Sequence, residues 1–341
     1  ALRMALQMRE QHIKRERATS NICTASALMA SMVGFYAVYH GSEGLHRIAE
    51  HVHSAAATVA EAIAALGFTL KNNEFFDTVE VVDADAAVVQ SIALERGVNF
   101  FYPVTGGVRM SFDEVTTEEE MALVVDIFAE AKGRKGHKTK LRPADKHYPV
   151  SLARKSAILQ EPVFNRYRNE SDLMRYIKRL EHRDISLADS MIPLGSCTMK
   201  LNSAALMLPL SLSGFADVHP FTPIDQVEGY RILIEELEHD LAVITGFEAC
   251  SLQPNSGAAG EYAGLMVIRA YHQSRGQGYR NVVLIPASAH GTNPASAAMA
   301  GMRIVTVACD AHGNIDVEDL KAKAEQYSSE LCGLMVTYPS T

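Results

Sequence analysis

Residues 253–264 read QPNSGAAGEYAG, three glycines and three alanines around one serine, and they run directly into an apolar helical pattern. Small side chains at a helix entrance leave unpaired N–H groups and about half a positive charge facing outward, a seat suited to phosphate. Ser256 adds a hydroxyl, while Gly257, Ala258, Ala259 and Gly260 keep bulk away from an anion. The other reading is a tight turn with no ligand. The stretch is neither G-x-G-x-x-G nor a P-loop ending in Gly-Lys-Ser/Thr, so a nicotinamide or nucleoside triphosphate fits it poorly. His290, in ASAHGTNPAS (287–296), is either an ordinary hydrogen-bonded loop residue or a ring that lies against a flat cofactor. His219, His290 and His312 have no short ligand spacing, so no metal site is expected. Cys197, in IPLGSCTMKLN (192–202), is a candidate nucleophile without a visible neighbouring base, or a structural thiol.

The elements that must position these residues follow from the apolar runs. VVLIP (282–286), RIVTVA (303–308) and GLMVTYP (333–339) are continuous apolar strands of the kind buried on both faces of a parallel sheet. The connections have room for crossover helices at roughly 294–301 and 316–328, which makes a doubly wound unit. In such sheets the ligand lies beyond the carboxyl ends of the strands. Residues 253–260, 287–296 and 337–341 should therefore converge on one edge. On the helix from 256, Ala259, Ala263, Met266, Val267, Ala270 and Tyr271 share a face expected to be buried.

Upstream, residues 1–132 alternate helices and short strands. An apolar helix (24–41) should end at Gly41, and a second (42–68) should start at Ser42 and close at Gly67. FFDTVEVV (75–82) reads as a strand, followed by a helix across 84–96 and strands near 98–102 and 108–112 around a TGG turn. A helix then opens on Thr117 with Glu120 three residues later, the capping-box spacing. Residues 133–162 gather Gly, Pro, Lys and Arg and lose periodicity, as a linker does. Beyond it, 163–247 holds a short amphipathic helix and a longer one with a seam of Tyr230, Leu233, Leu237, Leu241 and Ile244, and 248–341 forms the βα unit. The expected class is α/β: a small α/β domain, then the start of a doubly wound large domain.

The bulk numbers agree with a globular protein of two or three domains. The chain has 341 residues, 48% of them hydrophobic, with no apolar run of membrane-spanning length. A net charge of -8 argues against nucleic acid as main partner, and the basic stretches 9–17 and 132–142 read as solvated surface. Five scattered cysteines with no C-x-x-C pair suggest reduced thiols rather than a disulfide framework. The first residues carry no starting Met and no signal-peptide pattern, which reads as the interior of a longer protein.

Five segments in order, REQHIKRERATSNICTA (9–25), IPLGSCTMKLN, QPNSGAAGEYAG, IPASAHGTNPASA (285–297) and MVTYPST (335–341), resemble the P-protein family of the glycine cleavage system, the pyridoxal-phosphate-dependent glycine decarboxylases. The similarity runs from residue 1 to Thr341, more loosely through the linker. It implies the PLP-dependent transferase fold of the aspartate aminotransferase type (fold type I), in a protein of two related halves. Residues 1–132 would then be the small C-terminal domain of the non-catalytic half, 163–247 the N-terminal arm and helices of the catalytic half, and 248–341 the first part of its large domain.

The resemblance also implies roles. Ser256, Gly257 and Ala258 would hold the phosphate of pyridoxal 5'-phosphate, His290 would stack on its ring, and Thr337, Ser340 or Thr341 would reach the ring hydroxyl or its neighbourhood. Ser196, Cys197 and Thr198 would border the glycine site, with Cys197 giving redox sensitivity. At 259 this chain has Ala where many members have Gln or His. In the implied reaction glycine loses carbon dioxide and its aminomethyl group passes to the lipoyl arm of the H-protein, in a homodimer or a pseudo-dimer of the two halves. The compartment would be bacterial cytoplasm or mitochondrial matrix. The Schiff-base lysine and the aspartate under the ring nitrogen are expected beyond Thr341; Lys321 and Lys323 fall on a surface helix and Lys200 precedes the phosphate loop, so the chain alone should be inactive. Two alternatives stand beside this reading: another fold type I amino-acid decarboxylase, and a non-catalytic scaffold or dimer partner.

Overall fold

The computed structural model describes residues 17, 27–144, 151–183, 189 and 203–337. The chain divides into two compact units, one of residues 32–186 and one of residues 1–31 and 187–341.

In the first unit, α1 (Ala27–Ala65) is two helices joined at Gly41, whose φ of 61° and ψ of -174° break the helix where the sequence placed its end. A Cβ on Gly41 would stand 2.6 Å from the Phe164 carbonyl oxygen, so the glycine also admits the close approach of the 162–165 turn. β1 (Thr78–Val81) pairs antiparallel with β2 (Val108–Ser111), with α2 (Ala86–Glu95) between them in sequence and α3 (Glu118–Ala131) after them. Asp85 caps α2, and Thr117 and Glu120 form the expected capping box on α3. The core gathers Ala56, Val59, Ile63, Val81, Val89, Val125 and Phe128, with Phe128 meeting Phe68 edge-on at 5.3 Å. Residues 139–144 return to this core: the Thr139 N–H and hydroxyl both donate to Asp126, and the Ala144 N–H donates to Thr58 Oγ1. α4 (Glu170–Glu181) is the short amphipathic helix, capped by Asn169.

The strand expected at 98–102 shrinks to one bridge, in which Phe101 and Arg109 exchange both backbone hydrogen bonds. Pro103 has no N–H with which to extend the ladder, and the chain turns away there.

In the second unit, α5 (Glu228–Thr245) ends on a left-handed Gly246, and α6 (Gly257–Ser274) is capped by Ser256. Then come β3 (Val282–Pro286), α7 (Thr292–Met299), β4 (Arg303–Val307), α8 (Val317–Gln326) and β5 (Leu331–Leu334). The sheet order is β4-β3-β5, all parallel. Alternate residues of β3 face opposite layers. Val283 and Ile285 pack with Leu265 of α6 and Ala297 of α7; Val282 and Leu284 pack with Leu320 and Ala324 of α8. Helices thus cover both faces of a parallel sheet, the α/β arrangement that the apolar runs imply.

Four expectations need correction here. Only β3 is buried along its whole length, because the edge strands β4 and β5 have a neighbour on one side alone. The last strand covers Leu331–Leu334 rather than 333–339: its ladder follows β3, and the Met335 N–H makes the final bond to the Leu284 carbonyl. The inward face of α6 is not Met266, Val267 and Tyr271, which are 40%, 68% and 51% exposed, but Glu261, Leu265, Ile268 and His272, at helical spacing, with Leu265 buried and the other three half-buried. On α5, Leu233, Leu237 and Ile244 of the expected seam are likewise exposed.

The β1–β2 pair generates a test. Gly107, just before β2, has φ of 86°, and a Cβ there would lie 2.3 Å from the Val81 carbonyl oxygen. Gly107→Ala therefore combines left-handed strain with a backbone clash, and we expect a loss of about 2–4 kcal/mol of stability in urea unfolding. A loss under about 0.5 kcal/mol would show that the strands do not approach this closely.

Candidate functional site

Parallel pairing fixes where the candidate residues go. With β3, β4 and β5 running the same way, the segments that follow them leave at one edge of the sheet. Those segments begin at Ala287, Ala308 and Met335. Two contacts tie the edge together. Cys309, after β4, donates through Sγ to Ser288 Oγ, after β3, at 3.3 Å. The Asn293 N–H at the start of α7 donates to the His290 carbonyl at 3.0 Å, closing the turn that presents His290.

The N-terminus of α6 reaches the same edge. Ser256 is extended (φ -161°, ψ 163°), and its Oγ accepts from the Ala259 N–H at 3.1 Å. The Gly260 N–H makes the first turn's bond to the Ser256 carbonyl. The N–H groups of Gly257 and Ala258, the first two helical positions, have no acceptor within the helix, as at every helix start. A Cβ built on Gly260 meets nothing within 4 Å, so the small side chains leave open space rather than fill a packed turn.

Glu261 joins this helix to the His290 turn. Its Oε1 accepts from Asn293 Nδ2 at 3.0 Å and its Oε2 from Ser296 Oγ at 3.2 Å. Both partners are buried, and His290 acts on the same carboxylate electrostatically. Burial pushes the Glu261 carboxyl above the usual carboxylate range, against the opposing pull of Ser296, Asn293 and His290. The sequence reading passed over Glu261, because a glutamate one turn into a helix looks like surface. The available signal was its place at i, i+4, i+7 with Leu265 and Ile268, on the sheet-facing side.

The structure thus brings Ser256, Gly257, Ala258 and His290 to one edge, linked through Glu261. Thr337 is exposed, three residues past the end of β5. Ser196, Cys197, Thr198, Ser340 and Thr341 lie outside the described residues, as does Lys200. Lys321 and Lys323 sit on α8; Lys321 pairs with Glu318 at 3.0 Å, and Lys323 with Asp319 at 2.7 Å and the Thr306 carbonyl at 2.6 Å. A groove of about 350 Å³ lies elsewhere, on the first unit by β1, and its cations Lys71 and Arg109 both pair with Glu80. Those hydrogen bonds, from Lys71 first and then Arg109, hold the Glu80 carboxyl below its ordinary range.

The raised Glu261 carboxyl has a consequence for stability. A carboxyl raised in the fold contributes stability that is fully present below its unfolded value, about 4.3, and is lost as pH rises through the folded value. Glu261→Gln removes that loss. The melting temperature of the glutamine variant minus that of the parent should grow more positive from pH 4 to pH 8 in scanning calorimetry; a difference that falls over this window would mean the ionised carboxylate stabilises the fold.

Residues 1–128 match the family model described as glycine cleavage system P-protein. Along its whole length the chain is 56% identical to a glycine dehydrogenase (decarboxylating) of Flavobacterium johnsoniae, over 341 residues that make up 36% of that protein. It is 54% identical to the protein of the same name from Christiangramia forsetii, over 341 residues and again 36% of its length. A relative of the same name from Bacteroides fragilis is 55% identical over 342 residues, covering 99% of this chain and 36% of the relative. The chain spans a little over a third of the length of the curated relatives it matches. By these matches the chain belongs to the glycine cleavage system P-protein family.

Proposed function

We propose that the protein to which this chain belongs is a pyridoxal-phosphate-dependent glycine dehydrogenase that decarboxylates glycine and passes the aminomethyl group to the lipoyl arm of the H-protein. We further propose that residues 253–337 supply part of its cofactor site, within a large domain of the fold type I kind. The observation that carries the reading is the convergence on one sheet edge of a small-residue helix start and a histidine turn, in a chain 56% identical to an enzyme of that name.

The residues present fit the cofactor. The Gly257 and Ala258 N–H groups and the helix dipole suit a phosphate dianion. The Ser256 hydroxyl oxygen already accepts from the Ala259 N–H, which leaves its O–H to donate to the phosphate. The open space at Gly260 gives the anion room. His290, exposed at the mouth of its turn, would cover one face of a pyridine ring, and Thr337 would approach the ring hydroxyl. When bound, pyridoxal phosphate supplies an electron sink for the pair left on glycine as carbon dioxide departs. The protein's part is to orient the breaking bond and to fix charges around the ring. Ser196, Cys197 and Thr198 are proposed to border glycine, Ser340 and Thr341 to lie near the cofactor, and the assembly to be a homodimer or a pseudo-dimer. The bacterial origin of the relatives supports a bacterial cytoplasmic setting over a mitochondrial one.

The lysine that carries the cofactor in this chemistry is proposed to be none of those on this chain. Lys321 and Lys323 support that view, since they pair with Glu318 and Asp319 on the helix covering one sheet face. Two measurements test the proposal. Titrated into the chain and followed by absorbance, pyridoxal phosphate should bind saturably while pyridoxal, lacking the phosphate, should not; Ser256→Ala should weaken binding by about tenfold, the worth of one hydrogen bond to a charged group. Equal binding of both compounds would remove the phosphate seat from the proposal. Borohydride reduction of the mixture should trap no stoichiometric lysine adduct, and an adduct at Lys200 or Lys321 would overturn the placement of that lysine.

A further inference from the structure

Contacts between α6 and the α7 segment advance in step. Glu261 accepts from Asn293, Leu265 shares an apolar cluster with Ala297, and Arg269 donates to the Gly301 carbonyl at 2.8 Å. The two helices therefore run side by side, with both N-termini at the edge that holds Ser256 and His290. Apolar packing keeps them together without fixing how far one slides along the other, because burial is non-directional. Ala297 and Ala300 offer little relief to catch on. Hydrogen bonds do fix the slide, since they weaken steeply with angle and distance. They occur where the site lies: Asn293 Nδ2 and Ser296 Oγ donate to Glu261 at 3.0 and 3.2 Å, from residues only 7% and 0% exposed. Apolar side chains would hold the helices there without taking polar groups out of water. What they would not set is register. A slide of one residue would shift the His290 turn by about 1.5 Å against Ser256, well beyond the tolerance of about 0.5 Å within which a binding site has to be held. Asn293 is also bonded to that turn, its backbone N–H donating to the His290 carbonyl at 3.0 Å.

We propose that Asn293 is a positioning residue of the site: its side chain fixes the register of α7 on α6 through Glu261, its backbone N–H closes the His290 turn, and together these bonds set the span from the phosphate seat at Ser256 to the ring cover at His290. This inference rests on the pyridoxal phosphate reading above. A ligand that reaches across both ends senses the span; one that uses the helix start alone does not.

Two probes, inorganic phosphate and pyridoxal phosphate, are titrated into the full chain near neutral pH. Asn293→Leu keeps the size and the backbone N–H but loses the side-chain donor. It should raise the Kd for pyridoxal phosphate by about tenfold and leave that for phosphate within about twofold of the parent. Asn293→Asp sets acceptor against acceptor and should weaken pyridoxal phosphate at least as much. Combined with Glu261→Gln it restores the bond in reverse: the glutamine amide donates to the aspartate, the glutamine oxygen still accepts from Ser296, and the charge of the pair is unchanged. That double variant should bind pyridoxal phosphate within about threefold of the parent. Should Asn293→Leu fail to melt cooperatively, Glu261→Ala, which removes the acceptor and leaves α7 intact, is read against the same limits. The inference is overturned if the tie-breaking variant leaves pyridoxal phosphate binding within about twofold of the parent, if it weakens both probes in proportion, or if the reversed pair does not restore binding. A parent chain that binds neither probe, or binds pyridoxal phosphate no more tightly than phosphate, instead overturns the pyridoxal phosphate reading itself.

Discussion

The parallel pairing of β3 with both of its neighbours is the constraint on which the site depends. Val282 to Pro286 are matched one for one with Arg303 to Val307 on one side, and Val282 to Leu284 with Leu331 to Leu334 on the other. Because the strands share a direction, the turns after them have to leave at one edge. A crossover helix returns the chain to the opposite end before the next strand begins. Nothing in the individual loops need specify their meeting; parallel direction and register do so. The register is in turn held by β3 burial, for a slip of one residue would exchange the layers occupied by Val283 and Val282.

Most of the architecture was legible because it rests on signals that are local and redundant. The helix break at Gly41, the capping box of Thr117 and Glu120, and the buried run VVLIP each combine a periodicity with a punctuating residue. The failures share a different character. α6 carries two apolar stripes, one of Leu265 and Ile268 and another of Met266, Val267 and Tyr271, and periodicity cannot say which one meets the sheet. The end of β5 depends on where its partner's ladder stops, a fact written in β3 and not in GLMVTYP. The lost strand at 98–102 depends on Pro103 and on the single backbone contact with Arg109. Each is a tertiary choice between locally equal options.

The site divides along the same line. Ser256, Gly257 and Ala258 announce themselves through composition, because a helix start made of small residues is unusual enough to notice. His290 stood out through its place after an apolar strand. Glu261 announced nothing, since its chemistry comes from what folding brings to it: a buried amide from Asn293 and a buried hydroxyl from Ser296, thirty or more positions along the chain. The sequence shows which groups are capable of chemistry; folding decides which charges lie near them and how much water is left around each.

Charge placement at this edge reflects two competing demands. A negative group within the first turns of α6 is favoured by the helix dipole, yet it draws on the same N–H field that would receive an anion. The conflict eases because Glu261 is turned toward α7, where both oxygens are occupied by donors, while the first two N–H groups of α6 have no acceptor in the helix. The acceptor capacity of Glu261 therefore goes to fixing one helix against the next. The turn after β3 is fixed in its own way, by the bond from the Asn293 N–H to the His290 carbonyl. Backbone and side-chain bonds of this kind set the shape of a sheet edge before any ligand arrives, which is what preorganisation requires of the residues behind a site.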